Sequence, residues 1–556
     1  MTSIIRRTHF AYLYVLFILV LGGCVQQPKP TPAPPSPPPP PPPFTLSIMH
    51  TNDTHAHILP FNSFGNTCSE QEAAQGKCYG GVARRATEVK RIRETEPNAI
   101  LVDAGDQFQG TLFYTEYKGK PMQQFMNELG YDAMTLGNHE FDDGPQVLAD
   151  FASGLKFPII SSNIVVADDP LLKDLIKPYV IKQIEGHNVG IVGYTTEDLL
   201  SISNPGPSVV VEDIDSAMAK AVDELEKQNV NIIVALSHAG LARDLELASS
   251  MDGIDVIVGG HTHSYLSNTD PESEGTYPIM MNSPSGDPVL VVTAAAWGKY
   301  LGHLDVTFDD KGVADEWKGD PILLDNSIPQ DEAVLAEAMQ WDSQLAAFRT
   351  ALIGQTAVDL GGQNQMCRYE ECNLGNLITD AMLWETRGQG TQIAFFNGGG
   401  IRASIPAGDI TMENVLEVLP FLDTVATLEL TGADLHQELE HGVSKAESNQ
   451  NEGTGRFLQV AGLKFTWDPT KPVGSRVIDV RVKNAEGNYV RMRDDAVYKI
   501  ATSGFLRGGG DGHVIFKERG TNVYDFGRVL SDVLVDYIER MSPLSMVAEG
   551  RIVKRQ

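Results

Sequence analysis

Five short stretches of this chain set carboxylates beside imidazoles or amides. They are Asp53-Thr54-His55, Asp103-Ala104-Gly105-Asp106, Gly137-Asn138-His139-Glu140, Ser237-His238 and Gly259-Gly260-His261-Thr262-His263. Asp, Asn and neutral His suit divalent zinc, manganese, magnesium or cobalt, and the absence of cysteine among them argues against a structural zinc. Two ions about 3.5–4 Å apart need one shared oxygen ligand and several terminal ones, and a carboxylate such as Asp106 can bridge. Taken singly, each stretch reads more simply as a loop histidine or as an aspartate capping a helix. Five of them, all just after stretches that read as strands of one domain, are hard to explain by caps. A metal pair of this kind supports phosphoester chemistry and by itself specifies no substrate.

The elements that must position these residues are short apolar runs. Phe44–His50, Ala99–Asp103, Asp132–Leu136, Val189–Gly193, Asn231–Leu236 and Val256–Val258 read as buried strands, alternating with helical stretches. That alternation predicts an α/β layered domain over residues 44–329. In such sheets ligands gather beyond the carboxyl ends of strands, where the polar stretches fall. Gln330 to Thr350 reads as one helix, an interdomain connector over 330–351. A second domain, 352–556, has its own strand signals at Ile393–Phe396, Thr427–Leu430, Val477–Val482 and Tyr498–Thr502, with glycine-rich turns at Gly398–Gly400 and Gly508–Gly510.

The 556 residues suit two or more domains, with an ordinary apolar fraction of 42%. A net charge of −30 and no basic stripe exclude a nucleic-acid-binding module. Local arginines must therefore supply any phosphate affinity. At the N-terminus, Arg6-Arg7 precede an apolar run, Phe10 to Leu21, that is short for a bilayer span. The run ends in Leu21-Gly22-Gly23-Cys24, which resembles a bacterial lipobox. Residues 1–24 thus read as a lipoprotein signal, with Cys24 as the acylated, palmitate-bearing residue. Val25 is not the aspartate that commonly retains lipoproteins at the inner membrane. The implied location is the bacterial cell envelope, at the outer membrane, facing periplasm or exterior. Residues 25–43 read as a linker, and proline dominates Pro28 to Pro43, favouring an extended stretch of roughly 50 Å. The other four of the five cysteines, Cys68, Cys78, Cys367 and Cys372, form two close pairs, read as small-loop disulfides in an exported chain.

The order of the metal-ligand stretches resembles the calcineurin-like metallophosphatase superfamily. The fuller strings "LSIMHTNDTHAH", "LVDAGDQFQG", "TLGNHEFDDG" and "GGHTHS" are similar to the 5'-nucleotidase family, lipoprotein form. The likeness continues through "CRYEECNLGNLITDA", "NGGGIR", "GRFLQVAGLKF" and "GGGDG" and covers essentially everything after the proline linker. It departs at Ala56, where the family commonly has glycine. The resemblance implies a four-layer αββα sandwich followed by a smaller mixed α/β substrate-binding domain. It implies one metal on Asp53, His55, Asp106 and His263, and another on Asp106, Asn138, His238 and His261. His139 and Asp142 would be the catalytic pair, and the attacking group a metal-activated water in line with the departing ribose oxygen. His50 and His57 are read as structural.

On the substrate side, the resemblance makes Arg368 and Arg402 the phosphate- and ribose-binding arginines, a role that suits the guanidinium fork. Phe457 and Phe505 would sandwich the base, Asp511 would accept ribose hydroxyls and Asn397 would contact the base. Without the resemblance each phenylalanine reads as core. The implied activity is hydrolysis of nucleoside 5'-monophosphates, with di- and triphosphates as further candidates. UDP-sugar hydrolase and 2',3'-cyclic phosphodiesterase/3'-nucleotidase are alternatives in the same class. A thiosulfohydrolase relative fits less well, and a surface nucleotide-binding protein or adhesin is the alternative outside enzymes. Nucleotides and a membrane, reached through the lipid, are the implied partners; no nucleic-acid polymer is expected.

Overall fold

A computed structural model describes residues 44–555 except 64, 363–365, 422, 447–453 and 526. Cys24 and the proline linker lie outside the described residues. The first half is built on two sheets whose central strands are parallel and buried on both faces, which is why they read as unbroken apolar runs. In the first, Phe44–Thr51, Ala99–Asp103, Ala133–Thr135 and Ile159–Ile160 lie side by side in parallel, and Tyr300–Phe308 pairs antiparallel with the first of them. In the second, His187–Thr195, Ile232–His238, Val256–Val258 and Pro288–Val292 run parallel.

Strand alternation sorts the side chains into layers. Leu46, Ile48, Ile100 and Val102 join Ile191, Ile233 and Val234 in one core. Met49 and Leu101 point the other way, into a second core with Val89, Phe125 and Met126. Helices Val82–Thr95 and Lys120–Leu129 supply those last residues, while Ile214–Glu226 and Leu241–Ser250 bury Met218, Leu225 and Leu247 on the second sheet. The result is helix, sheet, sheet, helix.

The expected connecting helix is two helices, Glu332–Asp342 and Ala346–Thr350. The hydroxyl of Ser343 donates to the Gln340 carbonyl at 2.7 Å, and the chain turns so that Leu345 enters the core of the first half with no exposed surface. Tertiary burial of one leucine thus overrides a helical periodicity. The second half has a five-stranded sheet, ordered Leu458–Ala461, Ile393–Asn397, Val497–Ser503, Val425–Thr431 and Thr521–Tyr524. Helices Asn373–Thr386 and Leu530–Met541 pack beside it through Leu377, Ile378, Leu534 and Ile538.

Candidate active site

Each metal-ligand stretch leaves the carboxyl end of a central strand, and the two sheets together bring all five to one place. Asp53, His55 and His263 form one group of converging ligand atoms, and Asp106, His238 and His261 form another. Asp106 Oδ2 stands 3.1 Å from His238 Nε2 and 3.8 Å from His55 Nε2, so this carboxylate faces both groups. Asn138 Oδ1 joins the second group, 3.0 Å from His261 Nδ1.

Backbone contacts decide which ring nitrogens face inward. His238 Nδ1 donates to the Ala104 carbonyl at 2.6 Å, and His55 Nδ1 donates to the Phe108 carbonyl at 3.0 Å. Both rings then aim Nε2 at the centre. His238 Nε2 is buried and faces the Asp106 carboxylate at 3.1 Å. His55 Nε2 lies 3.0 Å from His263 Nε2. Lone pairs and carboxylates crowded this closely need a cation between them, and the donor set suits divalent ions. Burial, with the charge of His238, pushes His261 down to about 3, and burial, with Arg402, holds His55 well below its ordinary range, which keeps both rings neutral as ligands must be. Burial works to lower His238 as well, but the charges of Asp106 and Asp53 outweigh it and raise it to about 10. There a proton stands in for the cation that would displace it.

The loops holding these ligands are shaped for them. Asp53, His55, Asp106, His261 and His263 have φ of 48°, 46°, 58°, 74° and 56°, the left-handed region that non-glycine residues avoid. Gly137 has to be glycine, since a Cβ there would lie 2.1 Å from Asp106 Oδ1. Glu140, fully buried, accepts from the backbone N–H groups of Gly137, Asp106, Gln107 and Phe108 at 2.7, 3.0, 2.7 and 3.2 Å. One carboxylate therefore ties the Asp106 loop to the Asn138 loop.

His139 stands beside the converging His and Asp side chains, its Nδ1 2.6 Å from Asp142 Oδ2 and its Nε2 3.9 Å from Asp106 Oδ2. Burial works against its charged form, but the carboxylates of Asp142 and Asp106 outweigh burial and raise its pKa. Its ring stacks on Phe421 of the second half, centroids 5.6 Å apart.

From His139 a cleft of about 540 Å³ runs between the two halves, lined by Arg368, Asn397, Arg402, Phe505 and Asp511 among others. Arg402 reaches across to the metal side, with Nη2 3.2 Å from His55 Nε2 and its guanidinium over Phe421. Arg368 is pushed down to about 10 by burial and by Arg402, and so stays charged at neutral pH. Its Nε is buried without a partner among the described residues. Two neighbouring arginines in this state call for an anion. Asn397 Nδ2 donates to Asp511 Oδ2 at 2.7 Å, and the Phe505 ring lies against Gly510, where any Cβ would strike it at 2.5 Å. Cys367 and Cys372 form a disulfide that closes the Arg368 loop, and Cys68 and Cys78 form another.

Residues 46–265 match the family model for calcineurin-like phosphoesterases, and residues 352–518 match that for the 5'-nucleotidase C-terminal domain. The snake venom 5'-nucleotidase of Naja atra is 41% identical over 532 residues, spanning 92% of this chain and 98% of that protein. The chain belongs to the 5'-nucleotidase family. The 5'-nucleotidase of Bos taurus is 41% identical, over 91% of this chain and 90% of its own. The crystal structure of a 5'-nucleotidase precursor from Thermus thermophilus superposes with a TM-score of 0.86 at 43% identity, covering 92% of this chain and 99% of that one.

Within this family fold, one expected site residue is elsewhere. Phe457 has no exposed surface, does not line the cleft, and packs in the core with Leu435, Leu439 and Trp467, its ring centroid 6.3 Å from that of Trp467. Phe457 is therefore a core residue and not the base contact expected of it. The aromatic rings that line the cleft are Phe396, Phe421 and Phe505. Glu140, Gln109, Ser203, Phe421, His441 and Arg456 were not singled out from the sequence. Glu140, Gln109 and Arg456 lie inside the quoted motifs Gly-Asn-His-Glu, LVDAGDQFQG and GRFLQVAGLKF; Ser203, Phe421 and His441 reach the site from segments without such a motif.

Proposed function

We propose that the protein hydrolyses nucleoside 5'-monophosphates to nucleoside and phosphate with two divalent metal ions. The observation that carries this reading is the continuity of a cation-demanding His/Asp cluster with an arginine-lined cleft, joined where Arg402 meets His55. Asp53, His55, Asp106 and His263 would hold one ion, and Asp106, Asn138, His238 and His261 the other. When bound, such ions supply Lewis acidity and bring the pKa of water towards neutrality.

The chain's own residues do the rest. Arg368 and Arg402 orient the phosphate through their forked N–H donors. Asp142 takes the Nδ1 proton of His139 in a hydrogen bond, leaving Nε2 to stabilise charge on the phosphoryl oxygens or the departing ribose oxygen. Asp511 accepts from ribose hydroxyls, and Phe505 offers a face for the base, which tolerates many bases.

The test is phosphate release from AMP, ADP, ATP, UDP-glucose and 2',3'-cyclic AMP by protein beginning at Phe44, with added divalent metal or with EDTA. Chelator-sensitive release led by AMP supports the reading. Faster release from UDP-glucose or the cyclic ester moves the assignment to those subclasses, and no release from any of them refutes it. We also propose an extracytoplasmic place, tethered through a lipid on Cys24. Among the described residues no helix is long and apolar enough to cross a membrane. Palmitate labelling that persists in Cys24→Ser would overturn the tether.

A further inference from the structure

The carboxylate of Asp142 is held at both oxygens, and only one of its partners is His139. Oδ2 receives His139 Nδ1 at 2.6 Å and Gln109 Nε2 at 3.0 Å. Oδ1 receives the hydroxyl of Ser203 at 2.7 Å. Ser203 comes from a different part of the fold, at the carboxyl end of the short helix Leu199–Ile202, beyond the strand His187–Thr195 of the second sheet. That helix packs against the Gly510–Gly512 turn, so the second half braces the segment that carries Ser203. Asp198, Ile202, Ser203 and Asn204 line the same cleft as His139 and Asp511.

A carboxylate bonded at one oxygen can turn about its Cβ–Cγ bond, which is a soft, broad torsion. A second bond on the other oxygen fixes its plane, and with it the direction in which the imidazole is held. We infer that Ser203 is a positioning residue for the reaction, locking the plane of Asp142 and thereby the aim of His139 Nε2. The inference rests on the metal-dependent phosphohydrolase reading above and adds a residue to it. Ser203 touches no reacting atom and acts through Asp142.

The experiment is a double-mutant cycle on the metal-loaded protein, read on AMP and on p-nitrophenyl phosphate. The variants are Ser203→Ala, Ser203→Thr, Asp142→Ala and the Asp142→Ala/Ser203→Ala pair. Loss of one hydrogen bond to a charged group should lower kcat about 10-fold or more. KM should stay within about threefold and metal content should not change. Ser203→Thr keeps the hydroxyl and should recover most of the rate. In the Asp142→Ala background, Ser203→Ala should cost less than about twofold, because the group it positions is gone. An equal loss in both backgrounds, a loss confined to KM, or no rescue by threonine at an unchanged melting temperature would overturn the inference. Should the alanine variant not fold, Ser203→Gly removes the same hydroxyl and is judged by the same numbers. If the wild type cleaves p-nitrophenyl phosphate but not AMP, the nucleotide reading falls while the cycle on the simpler ester still decides Ser203. If neither ester is cleaved, both fall.

Discussion

His139 illustrates how a single side chain takes its role from what surrounds it. It is close enough to Asp106 to resemble a ligand, yet its Nδ1 is engaged by Asp142 and its ring lies on Phe421. That arrangement suits chemistry more than coordination. His139→Ala should lower kcat by about 10²–10⁴-fold while metal content, measured on the purified variant, stays at the wild-type level; metal loss would reverse the assignment. The two phenylalanines separate in the same manner. Phe505→Ala should weaken AMP binding by about 1–3 kcal/mol and spare p-nitrophenyl phosphate. Phe457→Ala should instead lower thermal stability by about 3–5 kcal/mol, as emptying a core site does, because its ring is fully buried against Trp467. If Phe457→Ala leaves melting unchanged and raises the KM for AMP, Phe457 contacts the base after all.

At the scale of elements, the ligand loops are strained, and other residues hold them so. Glu140 ties four N–H groups from two loops, so Glu140→Ala leaves four buried donors unmet. The cost should exceed about 3 kcal/mol, and metal affinity should drop with it. Chelator competition and thermal melting measure the two losses; an unaltered variant would show that the loops hold their shape unaided. Much at this scale was legible in the chain. Strands Ala99–Asp103 and Val256–Val258 lie where their apolar runs predicted, because burial on both faces leaves an uninterrupted signal. The ligand stretches were legible because their residue types are unusual at strand ends. What stayed hidden was set by contact across distance. The break at Ser343–Leu345 depends on a core pocket for Leu345. The bond from Ser203 to Asp142 spans 61 residues. Phe457, just before the strand Leu458–Ala461, packs inward against Trp467, and a sequence does not say whether a residue at a strand's entry faces core or cleft.

The whole molecule adds two properties. His50 is buried on the strand Phe44–Thr51, with Nε2 2.9 Å from the Tyr277 hydroxyl. Burial, and then the charge of His303, push it down to about 3. In the unfolded chain it titrates near 6.5, so its contribution is fully present above that pH and is lost as pH falls towards 3. Urea unfolding across this window should show a shallower pH slope in His50→Gln, by up to about 1.4 kcal/mol per pH unit; an identical slope would mean that other groups govern the acid limb. The second property is the meeting of the halves. Arg402 faces His55, Asn66 Nδ2 donates to Glu417 Oε2 at 2.8 Å, and the cleft is walled from both sides. A disulfide engineered across the cleft should stop turnover until reduced; full turnover with the bridge formed would show that the halves need not part. The contact of Arg402 with His55 also bears on timing. An anion lodged between that guanidinium and the metal ligands is gripped by both halves at once, and the product phosphate is such an anion. If its departure needs the halves to part through solvent, friction paces the catalytic cycle and kcat should fall in proportion as sucrose thickens the medium; a kcat indifferent to sucrose would show that release needs no such movement.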